Sequence, residues 1–152
     1  MANLRKNRVL VMALRKDFSS LLPLIRNVAS RSLFYLGKNQ VAISIYLVPL
    51  ATIAKLNRTY RDKNKPTNVL SFQMPKDFIL PKMKFCPIGE IYLSPEFIQK
   101  KNEDITFFTI HGILHLLGYD HKKKSDMIEM QREEKRLMKR LIKNHIYANC
   151  RP

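Results

Sequence analysis

His111-Gly112-Ile113-Leu114-His115-Leu116-Leu117-Gly118-Tyr119-Asp120-His121 gathers three of the chain's four histidines into eleven residues. His111 and His115 are four apart, so on a helix they share one face, one turn above the other. Gly118 can take the left-handed conformation that reverses a chain after a helix. The turn Gly118-Tyr119-Asp120 then returns His121 toward the first two. From about Asp104 to Leu117 the chain is apolar on nearly every side, which predicts a central, buried helix. Unpaired imidazoles on such a helix would be costly, so the spacing favours a shared metal ion. Three neutral imidazoles leave one tetrahedral position open, the layout of a catalytic zinc site, and zinc held this way lowers the pKa of its water to about 7. His145 has no partner in sequence and reads as a surface residue.

The spacing is also that of the H-E-x-x-H-x-x-G-x-x-H zinc peptidases, with one difference. Those enzymes carry a general-base Glu directly after the first His, and here that position is Gly112. The metal site points to hydrolysis, and the missing base points away from peptides.

The flanking sequence supplies a scaffold. Residues 8–14 read as a first strand. Ser20 is placed to cap a helix to about Leu36, with Pro23 in its first turn and Gly37 ending it. Val41 to Val48 alternates as a strand, and Pro49 opens a helix to Tyr60. Val69 to Met74 is a third strand; Pro75, Pro81 and Pro87 punctuate a loop. Glu90 to Ser94 is a fourth strand, followed by a helical start at Pro95. A last helix runs from about Ser125 to Asn144. This order predicts an α+β fold in which a small mixed four-stranded sheet is packed with helices around the central metal-binding helix.

The 152 residues suit one domain spanning 1–152, large enough to hold a core without disulfides. Cys86 and Cys150 have no ligand-spaced partners and read as free thiols of a reducing compartment. The run Val9–Leu14 is too short for a signal-peptide core, and nothing approaches the roughly 20 apolar residues of a membrane span. The expectation is a soluble cytoplasmic protein without a membrane partner. Against 12 Asp+Glu stand 28 Lys+Arg, a net charge of +16, which attracts polyanions.

The segment His111–His121 resembles the signature of the YbeY family of single-strand-specific endoribonucleases of ribosomal RNA maturation. Leu56-Asn57-Arg58-Thr59-Tyr60-Arg61 is similar to the family's L-N-x-x-Y-R, and Pro66-Thr67-Asn68-Val69-Leu70-Ser71-Phe72 to its P-T-D-V-L-S-F. Gly89-Glu90-Ile91 is similar to G-D-I, and Met130 and Glu134 to M-x-x-x-E in the last helix. The likeness covers most of residues 40–140. It implies one Zn2+ per chain on His111, His115 and His121, and a catalytic Arg61 facing the metal cleft, where a cation holds a phosphate and offsets charge on a phosphorane-like transition state. It implies ribosomal RNA precursors as substrate, the small ribosomal subunit and its assembly factors as partners, and a part in ribosome quality control. The chain departs from the pattern in three places: Asn68 replaces an Asp, so any base or charge-pairing role there is lost or moved, Glu90 replaces an Asp, and Lys122-Lys123-Lys124 stand where the family is commonly acidic.

At about 3.6 residues per turn, Arg132, Arg136, Lys139, Arg140 and Lys143 fall in one stripe of the last helix. Met127, Met130, Leu137, Met138 and Leu141 fall opposite, as a core face. Glu129 and Glu133 do little to interrupt the stripe. With Lys122, Lys123 and Lys124 it reads as an RNA track leading to the metal. Glu134 is a misfit on the apolar side, suited to a core polar group or to a ligand histidine; the sequence does not choose between them. The main reading is a metal-dependent endoribonuclease, attacking through water or through the RNA's own 2′-OH. The alternative is a non-catalytic RNA-binding assembly factor with a structural metal, for which a fourth protein ligand would speak.

Overall fold

The structure, a computed structural model, describes residues 6–149, with side chains up to Asn144. The side chains of His145 and Cys150 lie outside the described residues. Four β-branched-rich segments form the strands β1 (Arg8–Ala13), β2 (Val41–Leu47), β3 (Val69–Gln73) and β4 (Cys86–Leu93). They form one sheet in the order β1-β2-β4-β3. β1, β2 and β4 run parallel, and β3 closes the edge antiparallel to β4. This is the mixed four-stranded sheet the alternation predicts.

Side chains alternate across a strand, and the sheet divides its residues accordingly. Val11, Ile43, Ile45, Leu47, Ile91 and Leu93 enter the main core with helix α1 (Leu22–Tyr35) and helix α4 (Ile105–Leu116). On the other face Leu70 packs with Ile53 of helix α2 (Leu50–Arg61). Helix α3 (Pro95–Lys100) leads into α4, and helix α5 (Lys124–Asn149) lies outside α4. Ile110 and Leu114 of α4 meet Val28 of α1 and Met130, Leu137 and Leu141 of α5 in a second cluster. Helix α4 therefore lies between the sheet and α5, buried on both sides. Each fully buried Leu or Ile contributes roughly 1.5–3 kcal/mol, so this helix is the most strongly anchored element near the histidines. Among the described residues no helix is long and apolar enough to cross a membrane.

Several boundaries depart from expectation. Ser20 does not cap α1. Lys16–Leu21 forms a 3-10 helix with Phe18 buried beneath the Arg15 guanidinium, 4.4 Å from the ring centroid, and α1 follows without a side-chain cap. Anchoring Phe18 in the core tightens the chain before the α-helix begins. β4 starts at Cys86, not Glu90: Val41 pairs with Cys86 and Ala42 with Pro87, and a register irregularity after Ala42 accommodates the proline's missing N–H. Cys86 is an exposed free thiol. Met127, expected in the core face of α5, is exposed, because the first turn of α5 extends past the body of the core.

Candidate metal centre

Asp104 starts α4 by accepting the Thr106 N–H at 2.8 Å, an N-cap that satisfies one of the helix's free donors. From there the helix runs apolar to its last turns, where His111 and His115 emerge half-buried on one face. The chain then turns through Gly118, whose φ of +95° lies in the region that favours glycine. Asp120 Oδ1 accepts the His121 N–H at 2.7 Å, which holds the turn and keeps the Asp120 carboxyl below its ordinary pKa. The ligand nitrogens of His111, His115 and His121 all lie within 4.8 Å of one another. The centroids of the His111 and His115 rings are 4.6 Å apart, and those of His115 and His121 5.1 Å.

The orientation of the rings is set from behind. His115 Nδ1 lies 3.0 Å from the Tyr119 carbonyl. A carbonyl only accepts, so Nδ1 carries the proton and Nε2 a bare lone pair. His111 Nδ1 lies 2.6 Å from Glu134 Oε1; a carboxylate oxygen accepts, so that nitrogen is the donor too. The two Nε2 atoms then face each other at 3.0 Å. Two lone pairs at that distance repel unless a cation lies between them, and one proton cannot serve three converging rings. The donor set therefore fits a metal ion. His115 is also poised to stay neutral: burial, and then the neighbouring His111 and His121 imidazoles, push its pKa down to about 4. Among the described residues no fourth His, Cys, Asp or Glu joins the group.

Glu134, the misfit of the apolar face of α5, is buried and holds a histidine of the cluster. The Tyr119 carbonyl gave no signal in sequence, being backbone. A third support is Gln73 at the end of β3, whose Nε2 donates to the His115 carbonyl at 2.7 Å. Gly112 is explained by packing. A Cβ there would lie 2.9 Å from Ile91 Cγ2 and 3.2 Å from Ser71 Oγ. The position after the first histidine points into the sheet, so a glutamate there would meet β4 and not the cluster.

The remaining predicted residues are not part of the histidine cluster itself. Arg61 is exposed in the last turn of α2. α2 packs with Leu70 and Phe72 of β3, whereas Ser71 and Gln73 bond to α4. α2 and α4 thus lie on opposite faces of the sheet. Among the described residues Arg61 makes no hydrogen bond or ion pair with the histidines. Asn68, in place of the expected Asp, begins β3: its Oδ1 accepts the Val69 N–H at 2.9 Å, which an amide oxygen does as well as a carboxylate. Lys122, Lys123 and Lys124 are exposed directly after His121, and Lys122 Nζ lies 3.7 Å from Asp120 Oδ2.

The stripe on α5 corrects the reading of a track toward the metal. At about 100° per residue, Arg132, Arg136, Lys139, Arg140 and Lys143 centre on the side opposite Glu134, which holds His111. The ridge therefore turns away from the cluster. Glu133 also interrupts it, gripping Arg136 through Nε and Nη at 2.6–3.2 Å. Arg140 lies over the Tyr35 ring, 5.2 Å from its centroid.

The family model "Endoribonuclease YbeY" matches residues 12–142. The chain belongs to the YbeY endoribonuclease family. An Endoribonuclease YbeY of Aquifex aeolicus is 36% identical over 141 residues, covering 85% of this chain and 87% of the relative. One of Persephonella marina is 37% identical over 125 residues, covering 77% and 80%. One of Pelagibacter ubique is 43% identical over 108 residues, covering 66% and 69%. The solution structure of a Thermotoga maritima protein shares the fold with a TM-score of 0.53 at 24% identity, covering 91% of this chain and 93% of that one.

Proposed function

We propose that this YbeY-family protein is a zinc-dependent, single-strand-specific endoribonuclease that matures ribosomal RNA precursors. In this reading it works in the cytoplasm with the small ribosomal subunit and its assembly factors, and contributes to ribosome quality control. The observation that carries the metal dependence is the pair of Nε2 lone pairs 3.0 Å apart, with His121 beside them. His111, His115 and His121 would hold the ion. Zinc bound there would supply Lewis acidity beside a phosphodiester.

The chain's own residues do the rest. Glu134 and the Tyr119 carbonyl fix the tautomers of His111 and His115 and aim both Nε2 atoms into the cluster. Lys122, Lys123 and Lys124 attract the phosphates flanking the scissile one. Arg61 holds a further phosphate of the same strand with its planar fork. The ridge of Arg132, Arg136, Lys139, Arg140 and Lys143 takes more distant backbone. Glu134 is engaged with His111, so the proton released by the attacking water or 2′-OH passes to solvent, and solvent protonates the departing oxygen.

The test is metal analysis coupled to cleavage of a single-stranded ribosomal precursor fragment by the wild type, His115→Ala and Arg61→Ala. Stoichiometric zinc and cleavage that vanishes in His115→Ala are expected. Arg61→Ala should cut far more slowly at unchanged thermal stability. A 2′,3′-cyclic phosphate on the product assigns the internal nucleophile, and a free 2′,3′-diol with a 5′-phosphate on the other fragment assigns water. Stoichiometric zinc without cleavage of any RNA would overturn the enzyme reading in favour of an assembly factor.

A further inference from the structure

The sheet face turned away from α4 is only partly covered. α2 closes one end of it through Ile53 on Leu70, while Leu10 and Met12 of β1 remain about half exposed, at 47% and 48%. Four aromatic rings run across this face. Tyr46 and Tyr92 are register partners of the parallel pair and stack with centroids 5.1 Å apart. Tyr92 meets Phe72 of β3 edge-on at 5.8 Å, and Phe72 meets Tyr60 of α2 edge-on at 5.1 Å. Such a row is often ordinary packing, and its inner three rings do pack. Tyr60 at its end does not: it is 65% exposed, so burial does not account for an aromatic residue there.

Charge accompanies the exposed end. Arg58 and Arg61 are exposed on either side of Tyr60, and Lys63 and Lys65 follow on the adjoining turn. Among the described residues none of the four is in an ion pair. On the strands the one acidic group, Glu90, accepts the Tyr92 hydroxyl at 2.8 Å. A carboxylate there repels phosphate and accepts from base amino groups, so the face suits bases over the strands and phosphates along the rim of α2. The row also crosses the edge strand that touches the histidine helix. Phe72 and Gln73 are consecutive on the edge strand β3, about 3.8 Å apart at Cα, and Gln73 bonds the His115 carbonyl on the far side.

We propose that this aromatic row, ending on Tyr60, is the surface on which the bases of a single-stranded RNA stack. Arg58, Arg61, Lys63 and Lys65 hold the phosphates as the strand rounds the edge of β3 to reach the histidine cluster. The assignment rests on the nuclease reading for the identity of its ligand. Bases in a duplex have their faces covered by their neighbours, so such a surface takes single strands, and it takes them without regard to sequence because every base has a π-face.

The experiment uses the zinc-loaded full chain and two labelled probes of equal length and charge, a mixed-sequence single-stranded oligodeoxynucleotide and its abasic counterpart, followed by fluorescence anisotropy. The wild type should bind the base-bearing strand more tightly. Tyr60→Ala should weaken that strand roughly 5- to 100-fold, the range expected for loss of one stacked base, and leave the abasic strand nearly unchanged; Tyr60→Phe should restore it. The chain has no tryptophan, so quenching of its tyrosine emission by the base-bearing strand reports stacking directly. With cleavable RNA, Tyr60→Ala should raise KM with little change in kcat. Equal affinity of the wild type for both probes, or wild-type binding by Tyr60→Ala, would overturn the stacking surface. If the wild type still cuts RNA in that case, the nuclease reading survives. If Tyr60→Ala loses base-dependent affinity while the wild type cuts nothing, the surface stands and the nuclease reading falls.

Discussion

His111 and His115 show how much of a site is made by groups behind it. Their Nε2 atoms converge because Glu134 and the Tyr119 carbonyl occupy the two Nδ1 atoms. Removing such a support typically costs 10- to 100-fold in metal affinity. Glu134→Ala should therefore weaken zinc binding by about that factor in competition with a chromophoric chelator, with Glu134→Gln intermediate and helix content unchanged by circular dichroism. Unaltered affinity would reduce Glu134 to a core polar group. His115 makes a second prediction. Its pKa is about 4 in the folded, metal-free chain against 6.5 when exposed. Between those values the unfolded chain holds the extra proton, so stability rises with pH. Denaturant melts of chelator-treated protein should show this contribution fully present above about pH 6.5 and lost as pH falls toward 4. His115→Gln should flatten that part of the profile. The ligands were legible because they are local, three residues in one helix and its turn. Glu134 was legible only as an oddity on an apolar face, since its partner lies 23 residues away.

At the scale of elements, the seating of α4 on the sheet controls the site. The Gly112 backbone approaches Ile91 so closely that a methyl group would lie 2.9 Å from Cγ2 of a fully buried side chain. Gly112→Ala should destabilise by about 1–3 kcal/mol through overpacking, seen as a lower urea midpoint at an unchanged m-value. A midpoint equal to that of the wild type would mean that Ile91 yields without strain. The alternation of β2 and the apolar run of α4 announced these elements plainly. The 3-10 helix of Lys16–Leu21 did not, because the burial of Phe18 sets it and local propensity does not. Nor did the early start of β4 at Cys86, where pairing with β2 overrides the usual meaning of Pro87.

For the molecule as a whole, the excess of 16 positive charges makes encounter with RNA fast and salt-sensitive. The ridge on α5 faces away from the histidines, so it can hold the substrate without aiming it. Replacing Arg132, Lys139 and Lys143 with Gln should weaken binding about equally across RNA sequences. The slope of log K against log salt should flatten by about 2, at roughly 0.7 per phosphate contact on single strands. Zinc content and the position of the cut should not change. A salt slope equal to that of the wild type would mark the ridge as a solvated face. The charge itself was legible from composition, and the stripe from helical period. Which way the stripe points was not, because it depends on how α5 docks on α4, through Met130 and Leu137.

The tight seat of Gly112 has a further consequence, for descent. Two of the four glycine codons become a glutamate codon by a single nucleotide change, and glutamate at 112 would complete the sequence motif of a zinc peptidase. Here the new side chain would be driven into Ile91 and Ser71, so the substitution would strain the seat of α4 without placing a base beside the cluster. The neighbouring chemistry is one residue away in sequence and closed off in three dimensions.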